Sequence, residues 1–173
     1  MSQPIFLAPL RVGHLAHVMS WVNDREVMQY FANRQTDITE DEERRYIEAL
    51  VASKTDKAFS IFEGSEQGAY IGQCSVNQIY WPAKNGRLFL VVRKEMQGRG
   101  HGTAALRRLC EMAFDELGLH KLWLIVRRDN RDAQAMYLKL GFDFEGVLLD
   151  EYCVSGRYFD MVRMAKLARK SAT

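Results

Sequence analysis

The sequence predicts an α/β (α+β) fold: one mixed, mostly antiparallel sheet of about seven strands, flanked by helices and containing a parallel strand pair. Three observations predict it. Seven short segments rich in β-branched and aromatic residues are separated by Gly, Asn, Asp and Ser clusters, as strands and turns require. Three of those clusters, at 64–68, 84–86 and 155–156, are short enough to join neighbouring strands as hairpins. Between 87 and 127 two strand-like segments enclose the clearest helical pattern in the chain, and strands joined through a helix run parallel.

The first strand spans 5–10. An apolar-periodic stretch at 14–21 reads as a helix ending around Asn23-Asp24. Thr39 with Glu42 three places on forms a capping box opening a helix to about Val51. Strands follow at 58–63 and 70–80, and Lys84-Asn85-Gly86 is a hairpin signal because Asn-Gly readily takes positive φ angles. The apolar run at 88–92 then suits a strand buried on both faces. In the central helix, Leu106, Leu109, Cys110, Ala113, Phe114 and Leu117 fall on one face of a 3.6-residue period, with Arg107, Arg108, Glu111, Asp115 and Glu116 opposite. Gly118 ends it in the usual C′ manner. After a buried strand at 121–127, Asn130 caps a second helix, Asp132 suits its first turn and Gly141 stops it. Strands 143–154 and 158–167 pair around Ser155-Gly156.

Composition limits the function classes. The chain has 173 residues, and surface scaling predicts that about 70% of the unfolded surface is buried on folding. It is therefore expected to form one domain, residues 1–173, without needing disulfides or a structural metal. With 47% hydrophobic and 27% charged residues and only 3 Pro, it is neither disordered nor fibrous. No apolar run approaches the ~18 residues of a membrane helix, and the start, Met1-Ser2-Gln3-Pro4, lacks a signal peptide's charged region. The 3 Cys are odd in number and widely spaced, which suits a reducing, cytoplasmic setting. A net charge of +2, from 24 basic and 22 acidic residues, gives no electrostatic case for nucleic acid.

The chemistry centres on 97–103. Gly98, Gly100 and Gly102 remove side chains so that backbone amides can converge on an anion, and the following helix contributes about half a positive charge at its N-terminus. Arg99 and His101 are expected to add side-chain donors, and a diphosphate is the natural guest. The dinucleotide fingerprint G-x-G-x-x-G fails because Thr103 stands where its third glycine belongs, and no Gly-Lys-Ser/Thr follows to make a P-loop.

What remains is Q-x-x-G-x-G, from Gln97, Gly100 and Gly102, followed by Asn130-Arg131-Asp132-Ala133-Gln134-Ala135-Met136-Tyr137-Leu138-Lys139-Leu140-Gly141-Phe142. These two stretches resemble the GNAT acyltransferase superfamily, over about residues 69–167. The resemblance implies a GNAT-type domain whose parallel strand pair lies at the cofactor site, with acetyl-CoA as acetyl donor. It further implies that Gln97, Gly98, Arg99, Gly100, His101, Gly102 and Thr103 hold the pyrophosphate. Leu90, Val91 and Val92 on a splaying strand, with Asn130, Ala133 and Lys139, would meet the rest of the donor. Asn130 and Tyr137 are seven residues apart and so share a helix face to within about 20°. A substrate amine is expected to attack the acetyl carbonyl directly, with Tyr137 donating to the departing sulfur. Ordinary pKa values near 10 and 8.5 make full proton transfer uphill by about 2 kcal/mol.

Many relatives carry an acidic residue where this sequence has Arg87, so a water chain to a more distant carboxylate is the preferred route for the amine's proton. Within the superfamily, Leu119-His120-Lys121-Leu122-Trp123-Leu124-Ile125-Val126, Glu145-Gly146-Val147, Tyr152, Gly156-Arg157-Tyr158 and Arg163-Met164 look most like the spermidine and ribosomal-protein N-acetyltransferases. The expected acceptor is a small-molecule amine, with a polyamine favoured by the acidic residues Asp37, Glu40, Asp41, Glu42, Glu43 and Glu48. A solvated helix face balanced by Arg44 and Arg45 is the plainer account of that cluster. A protein N-terminus or an amino-sugar is the alternative acceptor, and a non-catalytic acyl-CoA sensor the alternative of another class. Relatives often form a homodimer, which is expected here too. Trp21, Tyr30, Phe31, Tyr80 and Trp81 are read first as packing residues and second as acceptor-pocket residues. His14 and His17 lack further ligands, so no metal is expected, and Cys110 belongs to the core.

Overall fold

The computed structural model describes residues 4–31 and 36–168; residues 1–3, read above for a signal peptide, lie outside them. Strand β1 (Ile5–Pro9) is followed by one turn of 3₁₀ helix and the short α1 (Leu15–Met19). Helix α2 (Glu40–Ala52) carries the predicted capping box: the Thr39 hydroxyl accepts from the Glu42 amide at 3.3 Å, and the Glu42 carboxylate accepts from the Thr39 amide at 2.8 Å. Then come β2 (Lys57–Glu63), β3 (Tyr70–Tyr80), β4 (Asn85–Val92), α3 (His101–Glu111), β5 (Lys121–Arg127), α4 (Arg131–Lys139), β6 (Asp143–Val154) and β7 (Arg157–Leu167). The strands form one sheet of order β1-β2-β3-β4-β5-β7-β6, antiparallel except for the β4–β5 pair.

Helices cover both faces. Ala105, Leu106 and Leu109 of α3 pack with Leu122, Leu124 and Val126 of β5 and with Leu88 of β4 on one side. Val18 of α1 and Ile47 of α2 pack with Phe62 and Val91 on the other. Period-2 alternation divides β4 between these two cores, Leu88, Leu90 and Val92 to the first and Phe89 and Val91 to the second, while β5 gives Leu122, Leu124 and Val126 to the first.

Two local expectations are corrected. Asn85-Gly86 is not itself the turn: residues 81–83 form a 3₁₀ turn, Lys84 takes the left-handed conformation (φ +51°), and Asn85 already pairs with Tyr80. Gly86 serves close packing instead, since a Cβ there would stand 2.5 Å from Val76 Cγ1. Nor is 88–92 buried on both faces. Leu88 and Val91 are buried while Phe89, Leu90 and Val92 are half-buried, because β4 borders an opening. Pairing between β4 and β5 covers only Asn85–Lys121, Gly86–Leu122 and Arg87–Trp123. Beyond that point the strands part, and among the described residues no strand pairs with 88–92 of β4 on that edge.

Candidate active site

A cleft of about 560 Å³ occupies the fork between β4 and β5. It reaches both faces of the sheet. On the α3/α4 face it is lined by Leu90, Val92, Gln97, Gly98, Gly100, His101, Gly102, Thr103, Asn130, Ala133 and Tyr137, and on the α1/α2 face by Val27, Tyr30, Phe31, Arg87, Phe89, Val91 and Arg127. Arg99 and Lys139 are exposed and stand outside this lining.

The loop before α3 is built to present amides. Gly98 and Gly100 have φ of +72° and +82°, and a Cβ on either would meet nothing within 4 Å, so both face open space. The first amide of α3 to reach a helical acceptor is that of Ala104, bonded to the Gly100 carbonyl at 3.1 Å. The preceding N–H groups are the unsatisfied donors of a helix N-terminus, where an anion is stabilised. A diphosphate fits this cradle.

Two side chains there do something other than expected. Gln97 donates from Nε2 to the Val92 carbonyl at 2.9 Å, tying the loop to the end of β4. His101 is 2% exposed, and its Nε2 lies 3.2 Å from a Glu63 carboxylate oxygen, so the ring points into the protein. It adds a backbone amide to the cradle but no side-chain donor, because the first turn of α3 packs down onto the sheet.

On α4, Asn130 Oδ1 accepts from the Ala133 amide at 3.2 Å, the predicted cap, which leaves the NH₂ end of the amide for another partner. Gln134, which the sequence reading did not single out, is buried and donates from Nε2 to the carbonyls of Arg127 and Arg128, both at 3.0 Å. It fastens the start of α4 to the end of β5 and so sets where Asn130 and Tyr137 stand. The signal was weak: an amide one turn after a cap reads as helix surface.

The Tyr137 ring packs edge-on against Phe142, with centroids 5.8 Å apart. Burial pushes its phenol up to about 12, so it holds its proton at any physiological pH. Set against a thiol near 8.5, full transfer is uphill by roughly 3.5 units, about 5 kcal/mol, rather than the 2 that ordinary values give. Tyr137 is therefore suited to donate a hydrogen bond.

Arg127 pins the opposite wall. It pairs with Asp129 at 2.5 Å, donates to the Gln29 carbonyl at 3.1 Å and stacks 3.8 Å from the Phe159 ring centroid. Tyr30 and Phe31 thus reach the cleft, with Phe31 5.2 Å from Phe89. Tyr80 and Trp81 are exposed and do not, and Trp21 donates to the Tyr70 hydroxyl at 2.9 Å.

The acidic cluster is not uniformly a solvated face. Glu40 pairs with Arg44 at 3.2 Å in the surface manner, but Glu43 is buried. Glu42, Glu43 and Tyr46 line a second cavity of about 280 Å³ that shares Phe89 with the cleft. The carbonyl oxygens of Gln73 and Asn77, both from residues lining that cavity, are buried without a hydrogen-bond partner among the described residues.

His14 and His17 do not share a ligand: His14 bonds Ser60 and Glu66, each at 2.9 Å, and His17 stacks on Tyr70. Among the described residues no three His, Cys, Asp or Glu side chains are grouped to hold a metal ion, and no helix is long and apolar enough to cross a membrane. Cys74 and Cys110 are buried and Cys153 exposed, all as free thiols.

The chain is similar in sequence to the spermidine N(1)-acetyltransferase of Escherichia coli K12, with 27% identity over 163 residues, covering 94% of this chain and 86% of the relative. A spermidine N(1)-acetyltransferase of Vibrio cholerae is 26% identical over 170 residues, covering 98% and 96%. The crystal structure of spermidine N-acetyltransferase from Vibrio cholerae in complex with CoA and spermine superposes with a TM-score of 0.87 at 26% identity, covering 94% of this chain and 95% of that one. The model of the acetyltransferase (GNAT) domain matches residues 5–143. With an amide cradle shaped for a diphosphate and a protonated phenol in one forked cleft, this chain belongs to the GNAT acetyltransferase family and is an acetyl-CoA-dependent N-acetyltransferase.

Proposed function

We propose that the acceptor is the primary amine of a polyamine, with spermidine the first candidate, and that all of 1–173 serves this as one catalytic domain. The observation that carries the reading is the cleft itself, open to both faces of the sheet at the β4–β5 fork, so that donor and acceptor can enter from opposite sides. Bound on the α3/α4 face, acetyl-CoA would supply the activated acetyl thioester. The amides of Gly98, Gly100, His101, Gly102 and Thr103 would hold its diphosphate, with Arg99 and Lys139 supplying charge from the rim. Asn130, Ala133 and the free edge of Leu90, Val91 and Val92 would orient its arm. The Tyr137 Oη would hold a proton ready for the sulfur.

Support for a polyamine comes from the named activity of the Escherichia coli relative, aligned over 94% of this chain. The neighbouring cavity, with Glu42, Glu43 and the unpartnered Gln73 and Asn77 oxygens, offers acceptors to further ammonium groups. A cytoplasmic site of action is proposed from the three free thiols. A homodimer is proposed from Phe144, Val147 and Leu149, exposed on the outer strand β6.

The test is acetyl-CoA consumption across spermidine, spermine, amino-sugars and short peptides with free N-termini. Turnover of the polyamines well above the rest is expected. Preference for peptides or sugars would transfer the assignment to that class, and no turnover with any amine would favour a sensor.

A further inference from the structure

Arg87 is the last residue of β4 paired to β5, opposite Trp123, and so stands where the strands part. Its guanidinium lies 5.8 Å from the Trp123 ring centroid and lines the cleft beside Phe89. Among the described residues it makes no hydrogen bond and no ion pair, although it is half-buried. The cations around it are answered. Arg127 has Asp129. Arg163, which covers the same Trp123 ring at 4.1 Å, has Glu145 at 3.1 Å, and that carboxylate also takes Lys121. The other titratable groups lining the cleft are Tyr30, Tyr137 and Tyr152, His101 with its ring turned toward Glu63, and the exposed Asp132 on the first turn of α4. No other carboxylate among the described residues lines it.

A primary amine reaches the protein as an ammonium, with a pKa near 10.4, and must lose a proton before its nitrogen can attack. Beside Arg87 on the α1/α2 face of the cleft, no acidic side chain among the described residues lines it to receive that proton; Asp132 stands on α4. The fork offers an uncompensated positive charge, and a like charge disfavours the charged form of its neighbour. We infer that Arg87 favours the neutral form of the seated acceptor, so that a larger share of it has given its proton to solvent than of the free amine at the same pH. The nitrogen lone pair then forms the N–C bond while the C–S bond breaks, and the nitrogen sheds its surplus proton as the sulfur gains one. This rests on the acetyltransferase assignment and applies to any primary amine. For a polyamine it adds that the remaining ammonium groups lie away from the fork.

Calorimetric titration of spermidine into the protein saturated with CoA, which cannot react, counts released protons when run in two buffers of different ionisation enthalpy. If the bound amine's pKa falls by one unit, about 0.4 proton is released per amine at pH 9.4. Arg87→Gln should lose that release and Arg87→Lys keep it, with CoA affinity equal in all three as proof of intact folding. In single turnovers at saturating amine, the acid limb of the Arg87→Gln rate profile should move up by about one pH unit, giving a roughly tenfold loss at pH 7 that vanishes at high pH. Equal proton counts in wild type and Arg87→Gln, or a rate loss of the same size at every pH, would overturn the inference. Should spermidine not bind, the polyamine reading alone fails, and the same two measurements with the amine that the screen identifies decide the role of Arg87.

Discussion

Replacing Tyr137 by Phe removes one hydroxyl and leaves the ring on Phe142, so the change isolates proton donation from packing. The phenol sits near 12 and a departing thiol near 8.5, so at most a small fraction of the proton is transferred. What is lost is a hydrogen bond to a sulfur gaining negative charge, worth about 1.5–3 kcal/mol, or roughly 10- to 150-fold in rate. The assay is a single turnover with enzyme in excess over acetyl-CoA, followed by thiol release, beside calorimetric affinity for CoA. Affinity should stay near normal while the rate falls. Because the phenol is protonated far above neutrality, the wild-type profile should show no decline attributable to Tyr137 between pH 7 and 10. An unchanged rate in Tyr137→Phe would remove the residue from the mechanism, and an equal loss of CoA affinity would make it a binding residue.

Two other perturbations separate the anion cradle from the scaffold. Gly100→Glu should abolish CoA binding by calorimetry, since it forces a φ of +82° on a side chain and puts a carboxylate at the helix N-terminus; Gly100→Ala, whose Cβ meets nothing within 4 Å, should bear only the backbone strain of about 1–2 kcal/mol. Retained binding in the Glu variant would count against the loop. Burial, then the nearby His14 and Arg93, hold His17 below its ordinary 6.5, so the unfolded chain binds more protons in that window. Its contribution is present above 6.5 and lost as pH falls through the depressed value. Urea denaturation at pH 7.5 and 5.5 should therefore show a smaller difference in His17→Phe, which keeps the stack on Tyr70, than in wild type; equal differences would refute the assignment.

The fold was legible wherever a local rule governs. Thr39 and Asn130 cap because hydroxyl and amide oxygens reach amides three residues on, and Gly141 takes a positive φ that few other residues tolerate. Asn85-Gly86 misled because the rule for positive φ was sound but misplaced by one residue: the 3₁₀ turn before Lys84 had already reversed the chain. The side chain of His101 misled for a different reason. Its position in the loop motif says where its amide lies, while its ring direction is decided by how α3 packs on β1, β3 and β4, which turns the ring toward Glu63 at the end of β2 and which no local pattern encodes.

The same distinction explains the site. Backbone functions travel with sequence spacing, so the amide cradle could be read directly. Side-chain functions here depend on where the ends of elements come together: Gln134 with the carbonyls ending β5, Arg127 with Asp129 and with the Gln29 carbonyl in the chain before α2, and Arg87 with no charged partner among the described residues. A guanidinium left without a counter-charge is invisible in a sequence carrying 24 basic and 22 acidic residues, because near balance overall says nothing of balance at one fork. It becomes a statement about chemistry only once β4 and β5 are seen to part after Arg87 and Trp123. The break in strand pairing that opens the cleft also places this unneutralised charge at its edge, so any account of the proton that the amine must lose has to begin there.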